Sequence, residues 1–385
     1  MTMQTEKHSL PQKILLVSRC SWTLYNFRAG LMRVLKARGA TVLGGGAEGD
    51  GFEQKIAALG VPFMPLPVDK KGINLRADVQ LLWSLYRWYR REKPDIVHHF
   101  TIKPVIYGSI AARLAGVPRI VSTITGLGFV FMEEDVVWLR RLVESQYRFA
   151  LALTHFTFFL NEEDRSFFLD RRLVRPWKAG LLPGEGVDCS FFTPCVHVPA
   201  GAAKPLTFLM VARLLRDKGV YEFVEAAGIV KRDFPQVQFQ LLGGRDERNP
   251  TVVEQRDLDR WHAAGLISWL GEVADVRPSI AQADVVVLPS YREGIPRTLL
   301  EGAAMGKPLI TTDTTGCREV VEDGINGLRV PVKDAPALAR AMIRMLSDPA
   351  MRERMGKAGR AKMEREFDEQ IVLDKILKTY TEERL

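Results

Sequence analysis

Two carboxylates eight residues apart carry the strongest chemical signal in the chain. They lie in Pro289-Ser-Tyr-Arg-Glu293-Gly294-Ile295-Pro296-Arg-Thr298-Leu299-Leu-Glu301, directly after the apolar run Asp284-Val-Val-Val-Leu288. A run this short and apolar reads as a buried strand, and the segment after it reads as the start of a helix. One glutamate before the helix and one inside it can both face a ligand at the helix N-terminus. Pro296 suits the first helical turn, where no N–H is needed, and the backbone donors there favour an anion. The plainer reading of the pair is a capped helix with two solvated glutamates.

A second cluster, Val211-Ala-Arg213-Leu-Leu-Arg216-Asp-Lys218-Gly219, follows the apolar run 206–211. Two cations in a short turn at a strand's carboxyl end can converge on phosphate oxygens. No Asp-rich metal pattern accompanies them. The sequence therefore predicts that Arg213 and Lys218 do what a divalent metal does elsewhere, neutralising a departing diphosphate, with no metal and no cofactor.

Such residues need strands and helices to hold them, and the chain supplies two sets. In the first half, strands are expected at 13–17, 41–43, 95–97 and 119–122, alternating with helices near 27–37, 83–91 and 107–115. After a Pro- and Gly-rich passage from Pro194 to Pro205 the alternation restarts at 206–211, with helix 220–231, strands 237–242, 284–288 and 308–311, helix 297–305, and a helical pair from Ala335 to about Leu385. Repeated βα units predict an α/β fold of two doubly wound domains, 1–192 and 193–364. Helix 365–385 is expected to pack back on the first domain. Ligand would then lie at the carboxyl ends of the strands, in a central cleft that the two domains face.

Composition bounds the remaining classes. With 385 residues, 46% of them hydrophobic and 26% charged, the chain can bury two cores, which excludes disorder and coiled coil. Cysteines 20, 189, 195 and 317 match neither a disulfide scaffold nor a zinc spacing, which predicts a reducing, cytoplasmic compartment. No stretch reaches the roughly 18 apolar residues of a spanning helix. The longest candidate, 149–160, reads as a buried strand. A dinucleotide fold is disfavoured because the turn after the first strand, Ser18-Arg-Cys-Ser-Trp22, has no glycine, while Gly44-Gly-Gly46 follows the second strand and reads as a turn or as a wall of the cleft.

The formal charge of +8 is unevenly placed. Residues 1–192 hold 26 Lys+Arg against 18 Asp+Glu, and residues 193–385 hold 28 against 28. A basic half suits nucleic acid, an anionic membrane or a phosphorylated ligand, or simply keeps the protein soluble. Nucleic acid is set aside, since no binding module accompanies the charge. The aromatic-basic stretches 83–91 and 132–141 read either as sheet-covering helices or as membrane-surface segments.

At these residues the chain resembles the retaining glycosyltransferases of family 4. The likeness rests on the Arg-x4-Lys-Gly turn at 213–219, Leu242-Gly243-Gly244, Leu270-Gly271-Glu-Val, Glu293 and Glu301, Gly306-Lys-Pro308, and Gly324-Ile-Asn-Gly327. The first half resembles the branch that extends undecaprenyl-diphosphate-linked saccharides, through Ser21-Trp-x-Leu-Tyr-Asn26-Phe-Arg28, Asp95-Ile-Val-His98-His99-Phe-Thr-x-Lys103-Pro104 and Ile124-Thr-Gly126-Leu-Gly128-Phe. It departs from the family where many members carry a glycine pair, and has Cys20-Ser21-Trp22 instead.

The resemblance implies the two-domain GT-B fold and a metal-independent hexosyltransferase. Its donor is a UDP-sugar, its acceptor a polyprenyl-diphosphate-linked saccharide, and it works peripherally on the anionic cytoplasmic face of the inner membrane. Arg213, Lys218 and Glu293 would be catalytic. Glu301 would bind ribose hydroxyls, and Gly243, Gly294, Ile295, Pro296, Thr298 and Leu299 would complete the donor site. Asn26, Arg28 and Lys103 would serve the acceptor side, and Gly126 and Gly128 either the donor sugar or the acceptor. One of His98 and His99 would orient the donor sugar, against the alternative of a core histidine. A UDP-sugar 2-epimerase and a non-catalytic sugar-nucleotide module are the rival readings.

Overall fold

The computed structural model describes residues 11–69, 74–126, 137–194, 205–247 and 249–382. The chain divides into two compact units, one made of Met1–Leu182 with Val372–Leu385 and the other of Pro183–Ile371.

The first unit is built on seven parallel strands: β1 (Lys13–Cys20), β2 (Thr41–Ala47), β3 (Phe63–Pro65), β4 (Ile96–Phe100), β5 (Arg119–Ile124), β6 (Phe156–Phe159) and β7 (Ala179–Leu181). Their order is β3-β2-β1-β4-β5-β6-β7. The run Ile14–Val17 in β1 and all of β4 are buried, as helices on both faces of a parallel sheet require. The order reverses between β1 and β4, so their carboxyl ends part and leave room for a ligand.

The second unit repeats the plan with β8 (Thr207–Val211), β9 (Gln238–Leu242), β10 (Ser268–Trp269), β11 (Val285–Leu288), β12 (Leu309–Thr312) and β13 (Gly327–Val330), ordered β10-β9-β8-β11-β12-β13. Here the reversal falls between β8 and β11. Phe208 stacks on Phe239 across the neighbouring strands β8 and β9, with ring centroids 5.3 Å apart in the core.

Several expectations need correction. The boundary lies at 182/183, not 192/193, because Val187, Cys189 and Phe192 join the second core and Arg360 donates to the carbonyls of Cys189 and Phe192 at 3.0 and 2.7 Å. The C-terminal pair is three helices, Ala335–Ser347, Pro349–Lys362 and Glu369–Thr381, and from Val372 onward the last belongs to the first unit. Gly44 to Gly46 lie within β2, where a Cβ on Gly45 would come 2.6 Å from Trp88 and one on Gly46 would come 2.7 Å from the Ser18 carbonyl. They are close-packing positions, not a turn. Segment 149–160 divides into the end of helix Val137–Leu153 and β6, because Thr154 and His155 break the run.

Candidate active site

In the second unit, the turn after β8 and the turn after β11 meet where the strand order reverses. Lys218 Nζ and Glu293 Oε1 pair at 2.7 Å, with side chains only 16% and 15% exposed. The turns approach closely because Gly219 has φ +78°, and a Cβ there would fall 2.1 Å from the Pro289 carbonyl. Tyr291 N donates to the Asp217 carbonyl at 2.9 Å and Ser290 Oγ donates to the same oxygen at 3.1 Å. Thr311 on β12 donates to the Leu288 carbonyl at 2.8 Å, and Thr312 donates to that of Ser290. The Lys–Glu pair therefore sits on a turn held by backbone and hydroxyl bonds from three strands.

Arg213 shares the β8 turn but reaches outward. Its side chain is 58% exposed, with Asp246 the nearest carboxylate at 3.8 Å. Gly243, at the end of β9, has φ +148° and packs on this turn so tightly that a Cβ would meet the Ala212 carbonyl at 1.9 Å. Its N–H donates to the Gly271 carbonyl at 2.7 Å, and Trp269 Nε1 donates to the Gly243 carbonyl at 3.0 Å.

Helix Arg297–Ala304 begins right behind the pair. Pro296 is the residue before its first turn, not within it, and no side chain caps the end. Thr298 Oγ1 donates to the Val211 carbonyl at 2.9 Å, tying the helix start to the end of β8. Glu301, one turn in, is 8% exposed and pairs with Arg297 Nε at 2.7 Å. Burial raises its pKa, and the Arg297 guanidinium opposes that shift. Gly294 and Ile295 form the bend ahead of the helix, where a Cβ on Gly316 would strike the Gly294 carbonyl at 1.7 Å and one on Gly184 would meet Ile295 at 2.8 Å. Leu299 is core: its side chain is fully buried and its N–H already donates to the Pro296 carbonyl at 3.1 Å.

The first unit treats its predicted residues differently. His98 and His99 lie inside β4, not beyond its end, and both are fully buried. His98 bonds Tyr380 through Nδ1 and Thr123 through Nε2, both at 2.7 Å, and His99 Nε2 bonds the Tyr89 hydroxyl at 2.9 Å. Burial lowers both pKa values, that of His99 to about 3, so the rings are neutral core groups. Neither is placed to orient a sugar. Arg28 is also buried, its guanidinium 4.1 Å above the Phe100 ring. Lys103, just past β4, pairs with Asp78 at 2.8 Å, and Asp78 also accepts from Tyr107 at 2.9 Å. Asn26 Nδ2 donates back to the Trp22 carbonyl at 2.9 Å on an exposed helix. Gly126 follows β5 with φ +144° and open space where a Cβ would stand. Gly128 lies outside the described residues.

Sequence reading missed several partners. Tyr291 donates to Glu222 at 2.6 Å, and Asp50 accepts from Ser21 Oγ and from Trp22 N at 3.0 Å, which lowers the Asp50 pKa against the opposing effect of burial. These partners lie 28 to 69 residues apart, so no local spacing announces them. Among the described residues no group of three or more His, Cys, Asp or Glu is arranged to hold a metal ion.

Residues 205–348 match the family model of the group 1 glycosyl transferases, and residues 13–157 match that of the glycosyl transferase 4-like proteins. An Escherichia coli UDP-Gal:alpha-D-GlcNAc-diphosphoundecaprenol alpha-1,3-galactosyltransferase is 30% identical over 329 residues, 82% of each chain. The chain belongs to this glycosyltransferase family. A Campylobacter jejuni N,N'-diacetylbacillosaminyl-diphospho-undecaprenol alpha-1,3-N-acetylgalactosaminyltransferase is 27% identical to this glycosyltransferase over 377 residues, covering 94% of the chain and 97% of the relative. The crystal structure of Anabaena HepE in complex with UDP superposes with a TM-score of 0.77 over 95% of this chain and 99% of that one, at 18% identity. That likeness gives the fold, two Rossmann-like α/β units of GT-B type, as the sequence predicts. No helix among the described residues is long and apolar enough to cross a membrane.

Proposed function

We propose that this glycosyltransferase moves a hexosyl unit, with retention of configuration, from a UDP-sugar to a polyprenyl-diphosphate-linked saccharide in glycan, exopolysaccharide or O-antigen assembly. The names of the Campylobacter and Escherichia relatives support the acceptor class, and the Anabaena complexes with UDP and UDP-glucose support the donor. The observation that carries the chemistry is the Lys218–Glu293 pair at the strand-order reversal of the second unit. An ammonium has three donors, so one on Glu293 leaves two for the oxygens of a departing diphosphate. Charge growing on those oxygens is stabilised by Lys218 and by the outward Arg213. Glu293 keeps a second carboxylate oxygen for a hydroxyl of the donor sugar. Glu301, paired with Arg297, accepts from the vicinal ribose hydroxyls.

In the front-face substitution this implies, the sugar–phosphate bond breaks while the acceptor hydroxyl adds on the same face. The acceptor's proton passes to the leaving phosphate oxygen, so no protein nucleophile takes part. The reaction is proposed to run without a metal ion, at the anionic cytoplasmic face of the inner membrane, with Lys103 and Asn26 on the acceptor side. UDP release across a panel of UDP-sugars, each with and without lipid-diphosphate acceptors, tests this. Acceptor-dependent release of UDP and a glycosylated lipid are expected. Interconversion of UDP-sugars without acceptor, or no UDP release with any pair, overturns it.

A further inference from the structure

Helix Leu75–Glu92 turns Asp78, Leu81, Leu85, Trp88 and Tyr89 inward. On its outer face Leu75, Val79 and Trp83 stand at i, i+4 and i+8, 74%, 61% and 56% exposed. Helix Val137–Leu153 carries a second stripe, Trp138, Leu142 and Phe149 at i, i+4 and i+11, 68%, 44% and 59% exposed. Exposed arginines border both stripes: Arg76 and Arg87 on the first and Arg141 on the second, where Arg148 is held by the carbonyls of Arg171 and Arg172 at 3.1 and 3.4 Å. No carboxylate stands exposed on either helix among the described residues. Asp78 is buried, while Glu92 and Glu144 are partly covered and paired with Lys13 and Arg171.

Both helices pack on the segment Pro104–Gly108 that follows β4, and on helix Ser109–Ala115 behind it, so they cover the same face of the first sheet. In a parallel α/β unit the helices run against the strands, which sets the apolar N-terminal turns, with Leu75, Val79, Trp138 and Leu142, toward the strands' carboxyl ends. Measured by the true unit boundaries, the charge asymmetry sharpens. The first unit holds 29 Lys+Arg against 19 Asp+Glu and the second 25 against 27.

We infer that this two-helix face is the surface by which the enzyme lies on an anionic bilayer, with the tryptophans and aliphatics in the headgroup boundary and the arginines on lipid phosphates. The inference rests on the proposed lipid-linked acceptor for its purpose, and on the exposed stripes and the charge for its location. A second copy of the chain is the poorer occupant, because stacking this face on itself opposes arginine to arginine. The same helix that presents Val79 and Trp83 outward holds Lys103 through Asp78 on its inner side. A lipid seated on that face therefore lies one helix thickness from the carboxyl end of β4.

The test is co-sedimentation of the full chain with vesicles of phosphatidylcholine alone and of equal parts phosphatidylcholine and phosphatidylglycerol, at low and high salt. Binding is expected only with phosphatidylglycerol, weakening as salt screens the surface. The pair Arg87→Gln and Arg141→Gln should lower affinity about 25-fold, roughly fivefold for each arginine near an anionic surface. The pair Trp83→Ala and Trp138→Ala should lower it tenfold or more, since each indole removes on the order of 100 Å² of apolar contact. Unchanged melting temperatures and unchanged transfer to a short soluble acceptor show that these variants fold and act. Failure of the wild-type chain to sediment, variants that sediment like wild type, or a dimer dissolved by Trp138→Ala would each overturn the inference. Loss of all UDP release would overturn the transferase chemistry instead and leave the sedimentation result standing.

Discussion

Replacing Lys218 with Ala tests the site most directly, because it should act on stability and on rate by two separable routes. In the resting protein the substitution leaves the Glu293 carboxylate, 15% exposed, without its 2.7 Å partner. Breaking a fully buried pair costs about 3–5 kcal/mol and breaking an exposed one under about 1. The partial exposure here sets the expected loss near 2 kcal/mol. In the proposed reaction the same substitution removes a preorganised donor from the departing diphosphate, which should cost on the order of 10² to 10³ in kcat. The double variant Lys218→Ala, Glu293→Ala separates the two effects. With the stranded carboxylate gone, stability should largely return, while kcat should not. Melting curves give the first quantity and UDP release at saturating donor gives the second, read as kcat apart from KM. A Lys218→Ala enzyme within threefold of wild-type kcat, or a double variant that regains activity with stability, would refute the leaving-group role.

Glu301→Ala should raise the Kd for UDP about tenfold or more, since its proposed bonds to the ribose would be lost, whereas Glu293→Ala should spare UDP and slow transfer; calorimetry with UDP and rate assays decide this. Activity should persist in EDTA, and loss restored by Mg²⁺ or Mn²⁺ would show that the cations do not replace a metal. Burial holds His99 at about pKa 3 against the ordinary 6.5, so its stabilising contribution is full above pH 6.5 and falls as pH drops toward 3. Denaturant midpoints measured from pH 7.5 to pH 5 should show a loss of about 2 kcal/mol from this residue, and a His99→Gln variant should show a flatter profile. Gly219→Ala, which puts a Cβ 2.1 Å from the Pro289 carbonyl, should destabilise by more than about 1 kcal/mol and separate Lys218 from Glu293, read as a lower Tm and reduced kcat.

The second unit's site was largely legible in the sequence because its chemistry is local to two turns. Arg213, Lys218 and Gly219 occupy one turn, Glu293 to Glu301 the other, and the βα alternation brings both to strand carboxyl ends. The fold was legible for the same reason, since short apolar runs between amphipathic stretches have few other readings. The first unit was harder. His98 and His99 look exposed to chemistry until Tyr380, Thr123 and Tyr89 are seen around them, and Tyr380 lies 282 residues away. Lys103 looks like a free cation until Asp78 is found on the preceding helix. The glycines of β2 read as a turn because glycine marks turns in sequence. Only the packing of Trp88 and the Ser18 carbonyl shows why a strand has no room for side chains there.

The position of Tyr380 bears on how the protein is made. Most of the first unit is translated before the second, yet one of the two partners that satisfy His98 in β4 lies 282 residues downstream, beyond the whole second unit. Arg119, on the neighbouring strand β5, donates to the carbonyls of Tyr380 and Glu382. At about 5–20 residues per second, translation separates His98 from Tyr380 by roughly 15 to 60 s. Through that interval His98 lacks its Tyr380 partner, and Val372, Ile376 and Tyr380, all buried in the finished protein, have not yet been made. The second unit, by contrast, is one uninterrupted stretch that needs nothing from downstream to close β8 through β13. The second unit is therefore complete before the first, whose sheet waits for a helix translated after both sheets have been made.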